Sequence, residues 1–188
     1  SGLISALSQL VRIGVIDESG YIRNAKELRG MGVPVRICQR VREDGEAGER
    51  RILLSGEVLQ KPVFLTASDI RQLQLAKGAI RAGIDTLLQK AKIPVKELWR
   101  IYLTGSFGNS LSAEDVTGIG LLPETEKEKI TSVSNCAGMG AAMALLSSQV
   151  QRKMEEDAEK ICHVELAGEP DFQERFLKEM NFPGNEVH

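Results

Sequence analysis

Apolar residues recur every three or four positions in several parts of the chain, which is the period of an α-helix. This pattern predicts a first helix over residues 2–13 and a last helix over residues 171–180. The longest predicted helix begins at Thr66, where Asp69 completes a capping-box pattern, and it runs to about Lys92.

Short runs of apolar and β-branched residues, bounded by turn residues, predict strands. The predicted strands cover residues 33–41, 51–54, 61–65, 100–103, 130–133 and 163–166. We expect residues 42–50 to form a charged, solvated hairpin loop and residues 24–32 to form a polar connection. Together these elements predict a single α/β domain over residues 1–188, with a mixed sheet flanked by helices.

Polar side chains interrupt the apolar side of the longest helix. At about 100° per residue, its apolar stripe consists of Ile70, Leu73, Ile80, Ile84, Leu87 and Leu88. Lys77 lies within this stripe, and Gln74 and Arg81 follow its border. Two interpretations stay open. The three polar side chains flank a phosphate or nucleotide pocket, or Lys77 packs its apolar stem and keeps its ammonium in water.

A glycine-containing turn joins the strand at 100–103 to the next predicted helix. The turn consists of Thr104, Gly105, Ser106, Phe107, Gly108 and Asn109. Ser110 or Ser112 is available to cap the helix that follows. Glycines let backbone N–H groups approach an anion closely, and a helix start carries partial positive charge. The alternative is an ordinary connection in which the glycines serve backbone geometry alone.

Small residues fill the first half of the helix predicted over residues 135–146, which continues as a charged surface stretch to about Lys160. Gly138 and Gly140 would let this helix pack closely against a sheet, or let a ligand lie across its start. Their spacing does not complete a dinucleotide-binding fingerprint, so we reject that function.

The composition narrows the class of protein. Of the 188 residues, 42% are hydrophobic and 27% are charged, and the net charge is −2. These values fit a soluble globular domain and favour neither a nucleic-acid nor a membrane partner. Cys38, Cys136 and Cys162 are widely spaced, so we expect no disulfide framework, no metal site and a cytoplasmic location. Because the chain starts inside an amphipathic pattern, we expect it to be part of a longer protein.

The residues predict no catalytic group. The sequence contains no Walker loop, no GxSxG elbow and no HExxH helix. Asp69, Glu114 and Asp115 fall in the first turns of predicted helices, where capping and dipole compensation are their expected roles.

Three features in this order resemble the second lobe of the acetate and sugar kinase, heat-shock chaperone and actin superfamily. They are the long helix with Gln74, Lys77 and Arg81, the LTGSFGN segment at 103–109, and the small-residue helix at 135–146. The resemblance implies an actin-like ATPase lobe in which LTGSFGN is the adenosine motif.

Further blocks resemble one group of this superfamily, the reductive activators of corrinoid proteins. These blocks are SGLISAL at 1–7, GVID at 14–17, TASDIRQLQLAKGAI at 66–80, GSFGN at 105–109, IGLLP at 119–123 and NCAGMGA at 135–141. Such activators pass one electron from a [2Fe-2S] domain to a corrinoid protein and return its cobalt from Co(II) to Co(I) in methyl-transfer pathways, driven by ATP.

The resemblance implies a nucleotide site on this lobe. Its contacts would come from Gln74, Lys77, Arg81, Gly105, Ser106, Phe107, Gly108 and Gly138. The chain departs from the family pattern because it lacks cluster-binding cysteines and the first lobe with its acidic phosphate loops. The [2Fe-2S] cluster would therefore belong to a missing N-terminal domain, and ATP with Mg²⁺ would be shared with the missing lobe. On its own the chain would lack reductive activity.

Two alternatives from other classes stay open. The chain could be a dimerisation or corrinoid-protein docking module that binds no nucleotide of its own, in line with the homodimer and corrinoid partner that we expect. It could also be a kinase-like phosphotransferase, although the sequence offers no convincing carboxylate base for one.

Overall fold

The computed structural model describes residues 2–44, 49–55, 61–108 and 110–184. Its α-helices are α1 (Gly2–Arg12), α2 (Ala25–Gly30), α3 (Val35–Cys38), α4 (Ala67–Ala91), α5 (Gly105–Gly108), α6 (Ala113–Gly118), α7 (Cys136–Leu146), α8 (Ser148–Ala158) and α9 (Phe172–Glu179). Its strands are β1 (Val41–Asp44), β2 (Glu49–Leu53), β3 (Phe64–Thr66), β4 (Ile101–Thr104) and β5 (Ile130–Val133). Short 3₁₀ turns occupy Val95–Glu97, Lys127–Lys129 and Leu166–Gly168.

The described strands form two sheets. In the first, β1, β2 and β3 are antiparallel, with Val41 opposite Ile52 and Leu53 opposite Phe64. A hairpin is present as predicted, but residues 42–44 and 49–50 of the predicted loop belong to its paired strands. Residues 45–48 lie outside the described part of the chain. In the second, β4 and β5 run parallel, with Ile101 opposite Ile130.

The predicted capping box of the longest helix is confirmed. The Thr66 hydroxyl oxygen accepts from the Asp69 backbone N–H at 3.1 Å, and the Asp69 carboxylate accepts from the Thr66 backbone N–H at 2.9 Å. At the other end, Lys92 adopts a left-handed conformation with φ of 57°, two residues before Pro94. Local sequence signals therefore set both ends of α4.

The main core lies between α1, α6, α2 and the three-stranded sheet. Its fully buried side chains include Leu7, Val15, Ile16, Leu28, Ile52, Leu65, Ile70, Val116 and Ile119. The Ser5 hydroxyl joins α1 to α6 by donating to the Asp115 carboxylate at 2.6 Å. No described helix is both long and apolar enough to cross a membrane.

Two predictions before the first sheet were wrong. Residues 24–32, predicted as a connection, contain α2, which a complete Asn24–Glu27 capping box starts. Residues 33–41, predicted as a strand, contain α3, and strand pairing starts only at Val41. The apolar residues of this run do not share one buried face, because Val35 is 58% exposed, whereas Cys38 is the buried residue of α3.

Two later predictions also need correction. The strand expected at 163–166 is absent, because Leu166 lies in a 3₁₀ turn and places its Cδ1 beside Gly83 of α4. The single helix expected from 135 to 160 is divided at Ser147, whose extended backbone ends α7 and caps α8.

The buried side of α4 differs from the predicted apolar stripe. Ile80 and Leu87 of that stripe are 51% and 47% exposed, whereas Gln74 and Lys77 are buried. Gly78 and Gly83 lie on the buried side, which allows α9 and the turn at Leu166 to approach the α4 backbone. Small residues and polar donors therefore determine which side of α4 faces inward.

Candidate nucleotide-binding site

The carboxyl ends of β4 and β5 carry the two glycine-containing segments. Gly105 starts α5 directly after β4, and Asn135 leads into α7 after β5. The Cys136 backbone N–H donates to the Thr104 hydroxyl oxygen at 3.3 Å, so the two connections lie side by side. In open α/β sheets, the crevice outside the carboxyl ends of parallel strands is the usual place for a ligand.

Gly105 has the backbone that the turn requires. Its φ is +84°, a conformation that residues with a Cβ rarely adopt. No described atom lies within 4 Å of the position that a Cβ would occupy, so this side of the backbone faces open space. The side chains of Ser106 and Phe107 lie outside the described part of the structure, so their predicted contacts stay predictions.

Gly138 makes room for the residue that caps α7. Asn135 has a left-handed φ of 47°, and its side chain accepts from the Gly138 backbone N–H at 3.1 Å. A Cβ on Gly138 would collide with this side chain. Gly140 faces α8, where the Met154 methyl group lies 3.6 Å from the Cβ position. The Asn135 cap therefore fixes the backbone at the start of α7, which lies beside the end of β4.

The three polar residues predicted on α4 each donate to a backbone carbonyl of a different segment, and we call Gln74, Lys77 and Arg81 the donor row. Gln74 Nε2 donates to the Ser19 carbonyl at 3.0 Å. Arg81 Nη1 donates to the Leu122 carbonyl at 3.0 Å. Lys77 Nζ donates to two carbonyls at the end of α9. In this structure the donor row therefore holds three chain segments against α4.

Arg81 has further partners. Its Nε donates to the Asp85 carboxylate at 3.0 Å, which is an i, i+4 ion pair within α4. Arg81 also lines an open cleft of about 790 Å³ between α1, α6, the 120–127 segment and Pro183. Among the predicted nucleotide-site residues whose side chains the structure describes, only Arg81 lines this cleft.

The environment of Lys77 changes its protonation. The pKa of Lys77 is lowered from 10.5 to about 8, and burial of the ammonium is the largest cause. The Glu179 carboxylate opposes this shift, and the neighbouring Arg81 adds to it. A cation at this position also faces the carbonyl end of the α9 dipole. The sequence indicated an inward-leaning lysine but gave no sign that the chain's own last helix would bind it.

The described residues contain no group of three or more His, Cys, Asp or Glu side chains that could hold a metal ion. Of the carboxylates considered from the sequence, Asp69 completes the cap of α4, and Asp115 accepts the Ser5 hydroxyl. Glu114 pairs with Arg12 at 3.1 Å. These three side chains are thus engaged in contacts within the fold.

Comparisons with known proteins match this architecture. A family model described as the C-terminal domain of RACo, the ASKHA domain, matches residues 1–188. The chain therefore belongs to this family. A solved structure of a reductive activator for corrinoid, iron-sulfur protein superposes with a TM-score of 0.78 and 34% identity, over 99% of this chain and 28% of that one. The predicted fold class, an α/β lobe of an actin-like ATPase, is confirmed.

Two characterised relatives are similar over nearly the whole chain. The corrinoid activation enzyme RamQ of Eubacterium limosum is 30% identical over 98% of this chain and 31% of its own length. A [Co(II) methylated amine-specific corrinoid protein] reductase of Methanosarcina barkeri is 23% identical over 97% of this chain and 28% of its own length. The chain thus spans about three tenths of the length of each relative.

Proposed function

We propose that this chain is the nucleotide-binding lobe of an ATP-dependent reductive activator, which returns Co(II) corrinoid proteins to Co(I) in methyl-transfer pathways. The observation that carries the proposal is the family match over all 188 residues. The relatives support the partner, because their names describe corrinoid activation and the reduction of a corrinoid protein. The proposed partner is accordingly the corrinoid protein of a methyltransferase system, and the proposed location is the cytoplasm.

The proposed nucleotide contacts begin at the carboxyl ends of β4 and β5. Gly105 supports this placement because its backbone faces open space beside the start of α7. Ser106, Phe107 and Gly108 would continue this surface, and Gly138 would border it. At such a site, backbone N–H groups would donate to ATP, and the glycines would let the backbone approach it closely. The described residues contain no metal-binding cluster that would hold Mg²⁺ there.

The donor row enters the proposal in two ways. Arg81 donates to the Leu122 carbonyl and to Asp85, and it also lines an open cleft, where it would contact adenine, ribose or phosphate directly. Gln74 and Lys77 would reach a nucleotide only by leaving the Ser19, Glu179 and Asn181 carbonyls that they bind. Nucleotide binding by Gln74 and Lys77 would therefore replace hydrogen bonds within the chain by hydrogen bonds to the ligand.

The remaining parts of the activity are proposed to lie elsewhere in a longer polypeptide. The [2Fe-2S] cluster would occupy an N-terminal domain, and Mg²⁺ and the γ-phosphate would be bound by the other lobe. ATP would supply the free energy for the uphill electron transfer. We also propose that the longer protein is a homodimer.

Calorimetric titration with ADP and with ATP–Mg²⁺ tests the site. Gly105→Ala is expected to weaken binding about tenfold, or about 1.4 kcal/mol, because the added methyl group opposes the left-handed backbone and narrows the open face. Gly32→Ala is the matched control, since Gly32 also has a positive φ (+77°) and an open Cβ position but lies in the turn after α2.

Equal affinities for the two variants would contradict a nucleotide site at Gly105. If the chain binds neither nucleotide, the same titration on the full-length gene product distinguishes the remaining possibilities. Binding there would indicate a site that needs both lobes. Its absence there too would favour a dimerisation or corrinoid-protein docking module without nucleotide binding.

A further inference from the structure

The segment that follows β4 leaves the sheet on one particular face. Leu103 of β4 and Ser132 of β5 lie opposite each other in the parallel register, so their side chains share this face. The position of a Cβ on Gly108 would be 3.7 Å from Leu103 Cβ. The Ser132 hydroxyl donates to the Leu111 carbonyl at 3.4 Å. Helix α5 and the residues after it therefore lie on the face of Leu103.

Thr104, the last residue of β4, lies on the other face, because successive side chains of a strand point to opposite faces. Its hydroxyl oxygen accepts from the backbone N–H of Cys136, the first residue of α7, at 3.3 Å. The start of α7 is therefore on the face of Thr104. Neighbouring parallel strands whose connections leave on opposite faces form a crevice at their carboxyl ends. Thr104 lies at this crevice, directly before Gly105.

The Thr104 hydroxyl has a proton that no described residue accepts. A hydroxyl has one donor and two acceptor positions, and the Cys136 N–H occupies one of the acceptor positions. The hydroxyl proton points away from that N–H, and Thr104 is exposed. By contrast, the Thr117 hydroxyl donates to the Ala113 carbonyl of its own helix at 2.8 Å. The contact with Cys136 thus holds the Thr104 oxygen in place and leaves its proton for a ligand.

Thr104 also has little conformational freedom to lose when a ligand binds. Its backbone is paired with β5, where Val133 lies opposite. Its β-branched side chain has restricted χ1 rotamers, and the Cys136 N–H holds the hydroxyl in one of them. A donor that is held in place before binding loses less entropy on binding, which favours a specific hydrogen bond.

We propose that Thr104 is a nucleotide-binding residue, whose hydroxyl donates to an acceptor atom of the bound nucleotide while it accepts from the Cys136 N–H. This inference rests on the nucleotide site proposed above at Gly105 and Gly138. The contacts proposed for these two glycines come from the backbone. Thr104 adds a side-chain hydrogen bond at the point where the segments after β4 and β5 meet.

Calorimetric titration of the full-length gene product with ADP tests this contact. Thr104→Val removes the hydroxyl, keeps the β-branched shape and is expected to weaken binding about three- to tenfold. Thr104→Ser keeps the hydroxyl and is expected to stay within about twofold of the wild type. Thr131→Val is the matched control and is expected to bind as the wild type does. Thr131 lies on the same face in β5, opposite Tyr102 and farther from the carboxyl end.

Titration with adenosine shows which part of the nucleotide accepts the hydrogen bond. A loss of affinity for both ligands would place the acceptor on adenine or ribose, and a loss for ADP alone would place it on the phosphates. Either result agrees with the proposal. If Thr104→Val bound both ligands as tightly as the wild type, Thr104 would make no contact, and the nucleotide site itself would stand. If the wild type bound neither ADP nor ATP–Mg²⁺, the proposed function would fail together with this inference.

Melting temperatures without nucleotide distinguish a ligand contact from a structural role. Thr104 and Cys136 are both exposed, so water can replace the hydroxyl as the acceptor of the Cys136 N–H. Thr104→Val is therefore expected to melt within about 2 °C of the wild type. A much larger decrease would show that Thr104 acts by holding α7 in place and would overturn a direct contact.

Discussion

The ammonium nitrogen of Lys77 in α4 lies 2.6 Å from the backbone carbonyl oxygen of Glu179, where α9 ends. It also donates to the Asn181 carbonyl and lies 5.8 Å from the ring centre of Phe182. The last carbonyls of a helix have no partner within the helix, so a cation here satisfies them and complements the helix dipole. This contact attaches the C-terminal segment to the middle of the longest helix.

We expect Lys77→Met to lower the free energy of unfolding by roughly 1–3 kcal/mol, because the carbonyls of Glu179 and Asn181 lose their donor while the apolar stem is kept. Chemical denaturation measures the effect. Lys178→Met is the control, since Lys178 is an exposed lysine in the last turn of α9. If both variants lost a similar free energy of unfolding, the effect would come from removing any positive charge near α9 and not from the Lys77 hydrogen bonds.

The stability of the wild-type protein is expected to rise between about pH 8 and pH 10.5 through Lys77. The native pKa of Lys77 is about 8, against an ordinary value of 10.5. In this interval the unfolded chain binds a proton that the native protein does not, so stability increases with pH, by roughly 3 kcal/mol in total.

Denaturation at a series of pH values checks this dependence. The Lys77→Met variant should lack the rise that the wild type shows, because both proteins share every other titrating lysine and tyrosine. Parallel curves for the two proteins would mean that the native pKa of Lys77 is close to its ordinary value.

Gly78→Ala is expected to destabilise the protein by about 1–3 kcal/mol, as overpacking does. A Cβ at Gly78 would lie 3.0 Å from Met180 Cγ and 3.1 Å from the Phe176 carbonyl oxygen, and that backbone cannot move aside freely. Gly30→Ala is the matched control, because it places a Cβ in open space in α2. Alanine favours a helix over glycine, so the control is expected to be neutral or slightly stabilising in thermal unfolding. A stabilising Gly78→Ala would indicate that α9 does not pack against α4 at this distance.

Ser5→Ala is expected to cost about 1–2 kcal/mol of stability at neutral pH, because Asp115 loses a charge-assisted hydrogen bond. The Ser5 hydroxyl is the main cause that holds the pKa of Asp115 below its ordinary value of 3.8. The stabilisation is therefore present above about pH 3.8 and is lost as the pH falls through the lower native pKa.

Urea denaturation at pH 7 and near pH 3 measures this change. Ser19→Ala removes a bond of the same length, from the Ser19 hydroxyl to the exposed Asp17 carboxylate at 2.6 Å, and is expected to have a smaller effect. If Ser5→Ala were as costly near pH 3 as at pH 7, the serine would act by packing and not through the charge of Asp115.

Features encoded by neighbouring residues were predictable from the sequence. The ends of α4 followed from the Thr66–Asp69 capping box and from Pro94, and the strands before Gly105 and Asn135 followed from short apolar runs. The wrong secondary-structure predictions also came from signals between neighbouring residues. The Asn24–Glu27 pair is a capping box that the sequence contains, yet the small number of apolar residues in 24–32 predicts a connection.

The candidate site, too, was predictable from the sequence only in part. The sequence identified Gly105 as a glycine that a turn requires, and its positive φ agrees with that interpretation. The sequence spacing of Gln74, Lys77 and Arg81 also placed these three residues along one side of α4, as the structure shows. It gave no information about which carbonyls would accept their hydrogen bonds, because these belong to segments that are 41 to 104 residues away in the chain.

By itself, the sequence determined the family, the α/β class and the boundaries of the best-capped helices, because these depend on residue order and on contacts within a few positions. Only the tertiary structure decided that Ile80 faces solvent while Lys77 is buried, and that α7 is exposed. The physical reason is that the buried side of a helix is chosen by the segments that pack on it. Here, glycines that admit α9 and carbonyls that satisfy a buried ammonium determine the orientation of α4 in place of its apolar stripe.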